Sequence, residues 1–175
     1  MLQRHFYTSG LAAYITLGVK GHHLPLTKAQ IGRCGELFVQ YALLLRRIES
    51  APMTTDTGID LVAYSSQTLR PHTIQVKTNL KPKPSGGRGK DLLDWWLPHH
   101  SPAQLIALVD LSLNRVWMFK TEEIDSIAQQ KSPHKYHLYM YTDSTHVPKK
   151  KDRRAHVHEF DDFLLEARAH SLFDA

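Results

Sequence analysis

The sequence has few of the features that mark secreted or membrane-embedded proteins. Cys34 is the one cysteine in 175 residues, so the chain can form neither an internal disulfide nor a cysteine-based zinc cage. We therefore expect a reducing, cytoplasmic setting. No run approaches the roughly 20 apolar residues of a membrane-spanning helix. The apolar run from Gly10 to Val19 is interrupted by Tyr14 and Thr16, which argues against a signal peptide.

An excess of acidic residues is also missing, and the charge balance has the opposite sign. Lys and Arg number 22 against 17 Asp and Glu, which gives a net charge of +5 and a pI near 9.3. This charge favours a polyanionic partner such as DNA or RNA. Hydrophobic residues make up 42% of the chain, enough to build a core. The length predicts one domain over residues 27–175, preceded by an extension of uncertain order over residues 1–26.

Local patterns predict a long helix followed by a series of strands. Thr27 and Gln30 form a capping box that opens a helix running to about Ile48. Its apolar stripe contains Cys34, Leu37, Phe38, Tyr41 and Leu45, at helical spacing. Strands are expected over residues 58–64, 73–78, 104–111, 116–119 and 136–141, a short helix from Thr121 to about residue 130, and a last helix over residues 161–170.

Three polar residues on the first two predicted strands are candidate site residues. Asp60 follows Gly58-Ile59 at the start of one strand, and Gln75 and Lys77 lie on the next. Because side chains alternate along a strand, Gln75 and Lys77 share one face, opposite Val76. Asp60 joins them only if its strand pairs so that it lies opposite Gln75 or Lys77.

This order of a helix, an Asp and a Gln-x-Lys resembles the PD-(D/E)XK nuclease superfamily, which includes many restriction enzymes and Holliday-junction resolvases. The resemblance covers roughly residues 27–125 and is carried by residues 58–64 together with residues 74–78. It implies an α/β fold of the restriction-endonuclease type, a central mixed β-sheet flanked by helices. The function it implies is metal-dependent hydrolysis of DNA phosphodiester bonds by an endonuclease. By analogy, a homodimer would place two sites across a duplex.

The resemblance also implies a role for each site residue. Asp60 would be the principal ligand of Mg²⁺ or Mn²⁺, joined by Gln75 and the backbone carbonyl of Val76. Lys77 would orient the attacking water and stabilise developing negative charge. Glu36, on the long helix, is either a metal ligand or a solvated residue paired with a neighbouring Arg. In the first case Gly32 and Gly35 would let the helix approach the sheet.

Two departures from the family pattern keep a second hypothesis open. Gln75 stands where the family usually has Glu or Asp, and no Pro precedes Asp60. A carboxamide offers an oxygen to a metal but no charge, so it binds the ion more weakly. The alternative function is therefore a non-catalytic nucleic-acid-binding or assembly module that keeps the fold with a decayed site.

Two basic segments are candidates for phosphate contacts, with solvated flexible loops as the alternative. The prolines and glycines of residues 81–90 predict an irregular loop. Trp95 and Trp96 either stack on bases or pack in the core or an interface. The predicted nucleic-acid-binding residues are Lys81, Lys83, Arg88, Lys90, Lys149, Lys150, Lys151, Arg153 and Arg154.

Overall fold

A computed structural model describes residues 25–55, 57–87, 89–148 and 153–174. Most of the predicted N-terminal extension, residues 1–24, lies outside these ranges. Among the described helices, none combines the length and hydropathy needed to cross a bilayer. The helices are α1 (Lys28–Leu44), α2 (Ile124–Ile127) and α3 (Leu165–Phe173), and the strands are β1 (Ile48–Pro52), β2 (Leu61–Ser65), β3 (His72–Asn79), β4 (Lys83–Pro84), β5 (Asp91–Pro98), β6 (Leu105–Asp110), β7 (Arg115–Lys120), β8 (Gln130–Lys131) and β9 (Lys135–Tyr141).

The predicted fold class is confirmed, since a central mixed sheet is flanked by helices. Its strand order is β1-β2-β3-β6-β7, and β3 and β6 run parallel while the other neighbours are antiparallel. One face of this sheet packs against α1 and α3, where Val39, Leu43, Ile74 and Leu165 belong to one buried cluster. Because side chains alternate along a strand, Ile74 and Val76 of β3 face the helices and the residues between them face the other way.

A second sheet packs on the other face of the central one, over β6 and β7, and the sequence analysis does not predict it. This sheet has the order β4-β5-β9-β8. Leu93 and Trp95 of β5 pack against Ile106 and Trp117 of the central sheet in a second buried cluster. No strand is predicted over residues 91–98, although the alternation of Leu93, Trp95 and Leu97 is typical of one. The protein therefore has a layer of helices, a mixed sheet and an antiparallel sheet.

The capping box of α1 is confirmed, but the predicted end of this helix is wrong. The Thr27 side chain accepts a hydrogen bond from the backbone N–H of Gln30, and the Gln30 side chain completes the box. The helix stops at Leu44 because the chain reverses at Arg47, which has a φ of +60°. Ile48 has helical spacing from the apolar stripe, yet it belongs to β1 and is only 1% exposed.

The apolar stripe of α1 does not form its buried face. The buried residues of the helix are Gly35, Val39, Ala42 and Leu43, whereas Leu37, Tyr41, Leu44 and Leu45 are among the exposed large hydrophobic residues. The helix therefore has an apolar face toward the sheet and a second one toward solvent.

Three other local predictions need correction. Lys83 and Pro84 pair with β5, and a 3-10 turn spans Ser85–Gly87, so the basic loop has regular structure where an irregular loop is predicted. Thr121 does not cap a helix, because its hydroxyl donates to the carbonyl of Ala103, and Glu123 caps the turn instead. The last predicted helix is split into a 3-10 segment, Val157–Phe163, and α3.

Candidate active site

The start of β2 fixes Asp60 against β3. Leu61 pairs with Ile74, so extending the ladder by one residue brings Asp60 level with Gln75. The backbone N–H of Asp60 donates to the Ile74 carbonyl at 2.9 Å. Its side-chain oxygen Oδ2 accepts from the backbone N–H of Val76 at 2.6 Å. Asp60 thus meets the register condition, and its carboxylate is held by the strand that carries Gln75 and Lys77.

Gln75 and Lys77 lie on the face of β3 that is turned away from α1. Ile74 and Val76 belong to the buried cluster beside α1. Gln75 and Lys77 are in register with Ile106 and Leu108 of β6, whose side chains belong to the cluster on the opposite face. Because Asp60 is level with Gln75, the pairing places Asp60, Gln75 and Lys77 on one face of the central sheet.

Gln75 is enclosed by a loop that the sequence does not identify. Its side-chain oxygen accepts a hydrogen bond from the Ser101 hydroxyl at 3.3 Å, and the residue is only 5% exposed. Gly58 closes the other side with a φ of +82°, and a Cβ added there would lie 3.2 Å from Pro102 and 3.6 Å from the Gln75 amide nitrogen. Nothing in the sequence around Ser101 and Pro102 signals this contact, because it depends on a loop from a distant part of the chain.

Lys77 is half-buried on β3. In the described part of the chain, its ammonium has no salt bridge within 4.0 Å. A partly desolvated cation interacts strongly with an anion that approaches it. Lys77 is therefore available to a phosphate group or to a water molecule beside Asp60.

Three oxygen-bearing groups at the start of β2 and on the facing part of β3 have the chemistry that a hard divalent cation requires. They are the Asp60 carboxylate, the Gln75 carboxamide oxygen and the Val76 carbonyl. The last points toward Asp60 because the N–H and C=O of one strand residue face the same neighbour. The set is poor in charge, however. Within the described ranges, no three His, Cys, Asp or Glu residues come together in a way that could hold a metal.

Glu36 lies in the layer of helices, on the other side of the central sheet. It is at the border of the buried face of α1, and its carboxylate pairs with Arg33 at 2.7 Å. A Cβ on Gly35 would come within 1.8 Å of the Thr78 hydroxyl oxygen, whereas one on Gly32 would meet nothing within 4 Å. Gly35 alone therefore permits the close approach of helix and sheet. A metal-binding role of Glu36 stays a prediction.

The described residues of the two basic segments are largely engaged in ion pairs. Lys83 pairs with Asp94 at 3.3 Å and Lys90 with Asp143 at 3.4 Å, while Lys81 is exposed. Arg153 donates to two backbone carbonyls, and Arg154 pairs with Asp162. These exposed pairs are weak, so the cations can exchange partners. Four predicted phosphate contacts lie outside the described residues, namely Arg88, Lys149, Lys150 and Lys151.

Comparison with known proteins identifies the fold through solved structures. No protein-family model matches the sequence, and no curated protein matches it significantly. A bacterial homing endonuclease is similar in structure, with a TM-score of 0.51 and 12% sequence identity over 86% of this chain and 99% of that one. The Holliday junction resolvase Hjc of Archaeoglobus fulgidus matches with a TM-score of 0.43 and 14% identity over 61% of this chain and 81% of that one. The first likeness shows the fold alone, which this chain shares with that endonuclease.

Proposed function

We propose that the protein is a metal-dependent endonuclease that hydrolyses phosphodiester bonds in DNA. The observation that carries this proposal is the hydrogen bond from the Val76 N–H to the Asp60 carboxylate. It holds Asp60 beside the strand segment on which Gln75 and Lys77 share one face. The nuclease fold and the positive charge of the chain, +5, also support it. RNA is a second substrate to be tested in the same assay.

Each residue of the proposed site has a separate task. Asp60, Gln75 and the Val76 carbonyl would hold Mg²⁺ or Mn²⁺, which supplies an activated water and neutralises charge on the phosphate. Lys77 orients that water and stabilises the negative charge that builds on the phosphate oxygens. The Ser101 hydroxyl orients the Gln75 oxygen. Glu36 stays outside this ligand set, because it lies on the α1 side of the central sheet and pairs with Arg33.

One observation favours a second function, a nucleic-acid-binding or assembly module without catalysis. Gln75 is 5% exposed, its oxygen is already bound to Ser101, and Asp60 is the one carboxylate on that face of the proposed set. A neutral, enclosed ligand weakens a metal site. The two functions differ in cleavage, which makes them separable by experiment.

The experiment is cleavage of supercoiled plasmid, branched DNA and structured RNA in Mg²⁺, Mn²⁺ or EDTA. We expect wild type to cut DNA only with metal, and Lys77→Ala to lose about 100-fold or more of that activity. Lys28→Ala is the control, because Lys28 is an exposed lysine at the start of α1 and lies outside the proposed site. Gln75→Glu adds the missing charge and is expected to lower the Mg²⁺ concentration needed for half-maximal cleavage.

The binding-module function would replace the nuclease if neither wild type nor Gln75→Glu cuts any substrate while both bind DNA with the same salt dependence. Equal activity of Lys77→Ala and Lys28→Ala would show that the site lies elsewhere.

The proposal includes a homodimer, which would present two sites to one duplex. Its candidate interface is the solvent-facing stripe of α1, composed of Cys34, Leu37, Tyr41 and Leu44. These positions alternate by three and four residues, the spacing with which two helices of the same sequence interdigitate. Leu37, Tyr41 and Leu44 are each more than half exposed, at 51%, 59% and 58%, so pairing of two copies would remove a large apolar surface from water.

A further inference from the structure

The outer face of the second sheet carries a row of aromatic rings. Leu93, Trp95 and Leu97 of β5 and Leu138 and Met140 of β9 point into the core, so the residues between them point outward. The outward rings follow one another along the sheet and onto the segment after β9. They are Trp96, His137, Tyr139, Tyr141 and His146, with centroids 4.1, 5.4, 5.5 and 4.3 Å apart in that order.

Trp96 differs from the other tryptophans in its exposure to solvent. It is 50% exposed, whereas Trp95 is 3% and Trp117 is 0% exposed. One face of its indole lies flat on the His137 ring, with an interplanar angle of 3°. Burial lowers the pKa of His137 despite the nearby Asp94 carboxylate, so the imidazole is a neutral stacking partner near pH 7. The remaining surface of the indole is open to a flat ligand.

A pocket of about 770 Å³ opens at the other end of the row. Tyr139 and Tyr141 form part of its wall, and Lys90 and Arg153 stand at its rim. A volume of this size accommodates one nucleotide or a few small groups. The row and the pocket are continuous, because Tyr139 and Tyr141 belong to both.

The charges around the row suit an anion that also carries flat rings. Lys83, Lys90 and Arg153 border the face, while its acidic residues Asp94 and Asp143 each pair with one of the lysines. Such exposed pairs contribute little stability, so a phosphate can take the place of a carboxylate. A row of neighbouring aromatic rings beside cations suits the bases and phosphates of a single strand better than a protein or lipid partner.

We propose that this outer face binds unpaired nucleotides, with bases stacked on Trp96 and the tyrosines and phosphates on Lys90 and Arg153. The distance from His137 to Tyr141 along β9 is about 13 Å, which matches roughly two to four nucleotides. This inference rests on the proposed function, for which it names the substrate class, DNA with a single-stranded or unpaired segment.

Binding to a fluorescent 12-nucleotide dT oligomer and to a duplex of equal length tests the proposal, in EDTA so that no cleavage occurs. We expect single-strand binding to quench tryptophan fluorescence. Trp96→Leu should raise the Kd for the single strand by about 10-fold or more, and the Kd for the duplex by much less. Trp96→Phe keeps a ring and should retain most of the affinity. The control is Leu113→Ala, which removes an exposed apolar side chain in the turn between β6 and β7, outside every proposed site.

Equal single-strand affinities of Trp96→Leu and Leu113→Ala, with both variants shown to be folded by a cooperative urea transition, would overturn the proposal. Equal losses of affinity by Trp96→Leu for the single strand and for the duplex would also overturn it, because they would indicate charge or folding effects. The two proposals have separate measurements, since Trp96→Leu is scored by binding in EDTA and Lys77→Ala by cleavage in Mg²⁺. Trp96-dependent binding by a protein that cuts nothing would sustain this inference and remove the nuclease.

Discussion

Two glycines on one helix predict opposite effects of the same substitution. Gly32 and Gly35 both lie within α1, and an alanine in a helix is favoured over glycine by about 1 kcal/mol. At Gly32 the new methyl group meets nothing within 4 Å. Gly32→Ala should therefore raise the free energy of unfolding by about 1 kcal/mol.

At Gly35 the new methyl group collides with β3. It would lie 1.8 Å from the Thr78 hydroxyl oxygen, 2.8 Å from its methyl carbon and 2.9 Å from its Cβ. Rotation of Thr78 can move the first two atoms but not the third, so the helix or the strand must shift. Overpacking of a core costs about 1–3 kcal/mol, which exceeds the helix preference over most of that range. We expect Gly35→Ala to lower the free energy of unfolding by about 1–2 kcal/mol.

Urea denaturation measures the free energy of unfolding of both variants. Their transition midpoints can be compared directly when the slopes (m values) are equal. Thr78→Ala in the Gly35→Ala background removes two of the three close atoms and should restore about 1 kcal/mol. If Gly35→Ala stabilised the protein as much as Gly32→Ala does, the close packing of α1 on the strand of the proposed site would be refuted.

Two further predictions concern an ion pair and the exposed face of α1. Glu123 binds Arg168 through two hydrogen bonds of 2.7 and 2.8 Å. Although burial raises its pKa, the bonds from Arg168 and the Lys120 backbone outweigh this and leave the pKa below the ordinary 4.5. Glu123→Gln should lower the free energy of unfolding by about 2 kcal/mol near pH 7. Glu166→Gln, which removes the longer pair with Arg46 at 3.7 Å, should lower it by at most about 1 kcal/mol. The cost of Glu123→Gln should shrink as pH falls below about 4.5, and a constant cost would contradict the assignment. Leu44→Glu should convert a dimer to a monomer in light scattering, and an unchanged mass would exclude that interface.

The part of the site that could be predicted depends on local rules. Strand alternation places Gln75 and Lys77 on one face, and the phrase Gly58-Ile59-Asp60 marks a strand start because glycine accepts a positive φ. That Asp60 lies opposite Gln75 could only be stated as a condition on the strand register, since the connection between the two strands does not fix that register. The enclosure of Gln75 by Ser101 could not be predicted, because it joins residues that are distant in sequence.

The fold divides in the same way between local and tertiary causes. The sequence by itself determined the capping box at Thr27 and the strands β2, β3, β6, β7 and β9, because each depends on neighbouring residues. The tertiary structure decided which of two apolar faces of α1 is buried. Gly35 lets one face approach Thr78 more closely than any side chain would allow, so Val39 and Leu43 are buried and Leu37 and Tyr41 remain in solvent. It also decided that β5 and β9 pair, since antiparallel partners 45 or so residues apart leave no local pattern, and this pairing aligns Trp96 with the tyrosines.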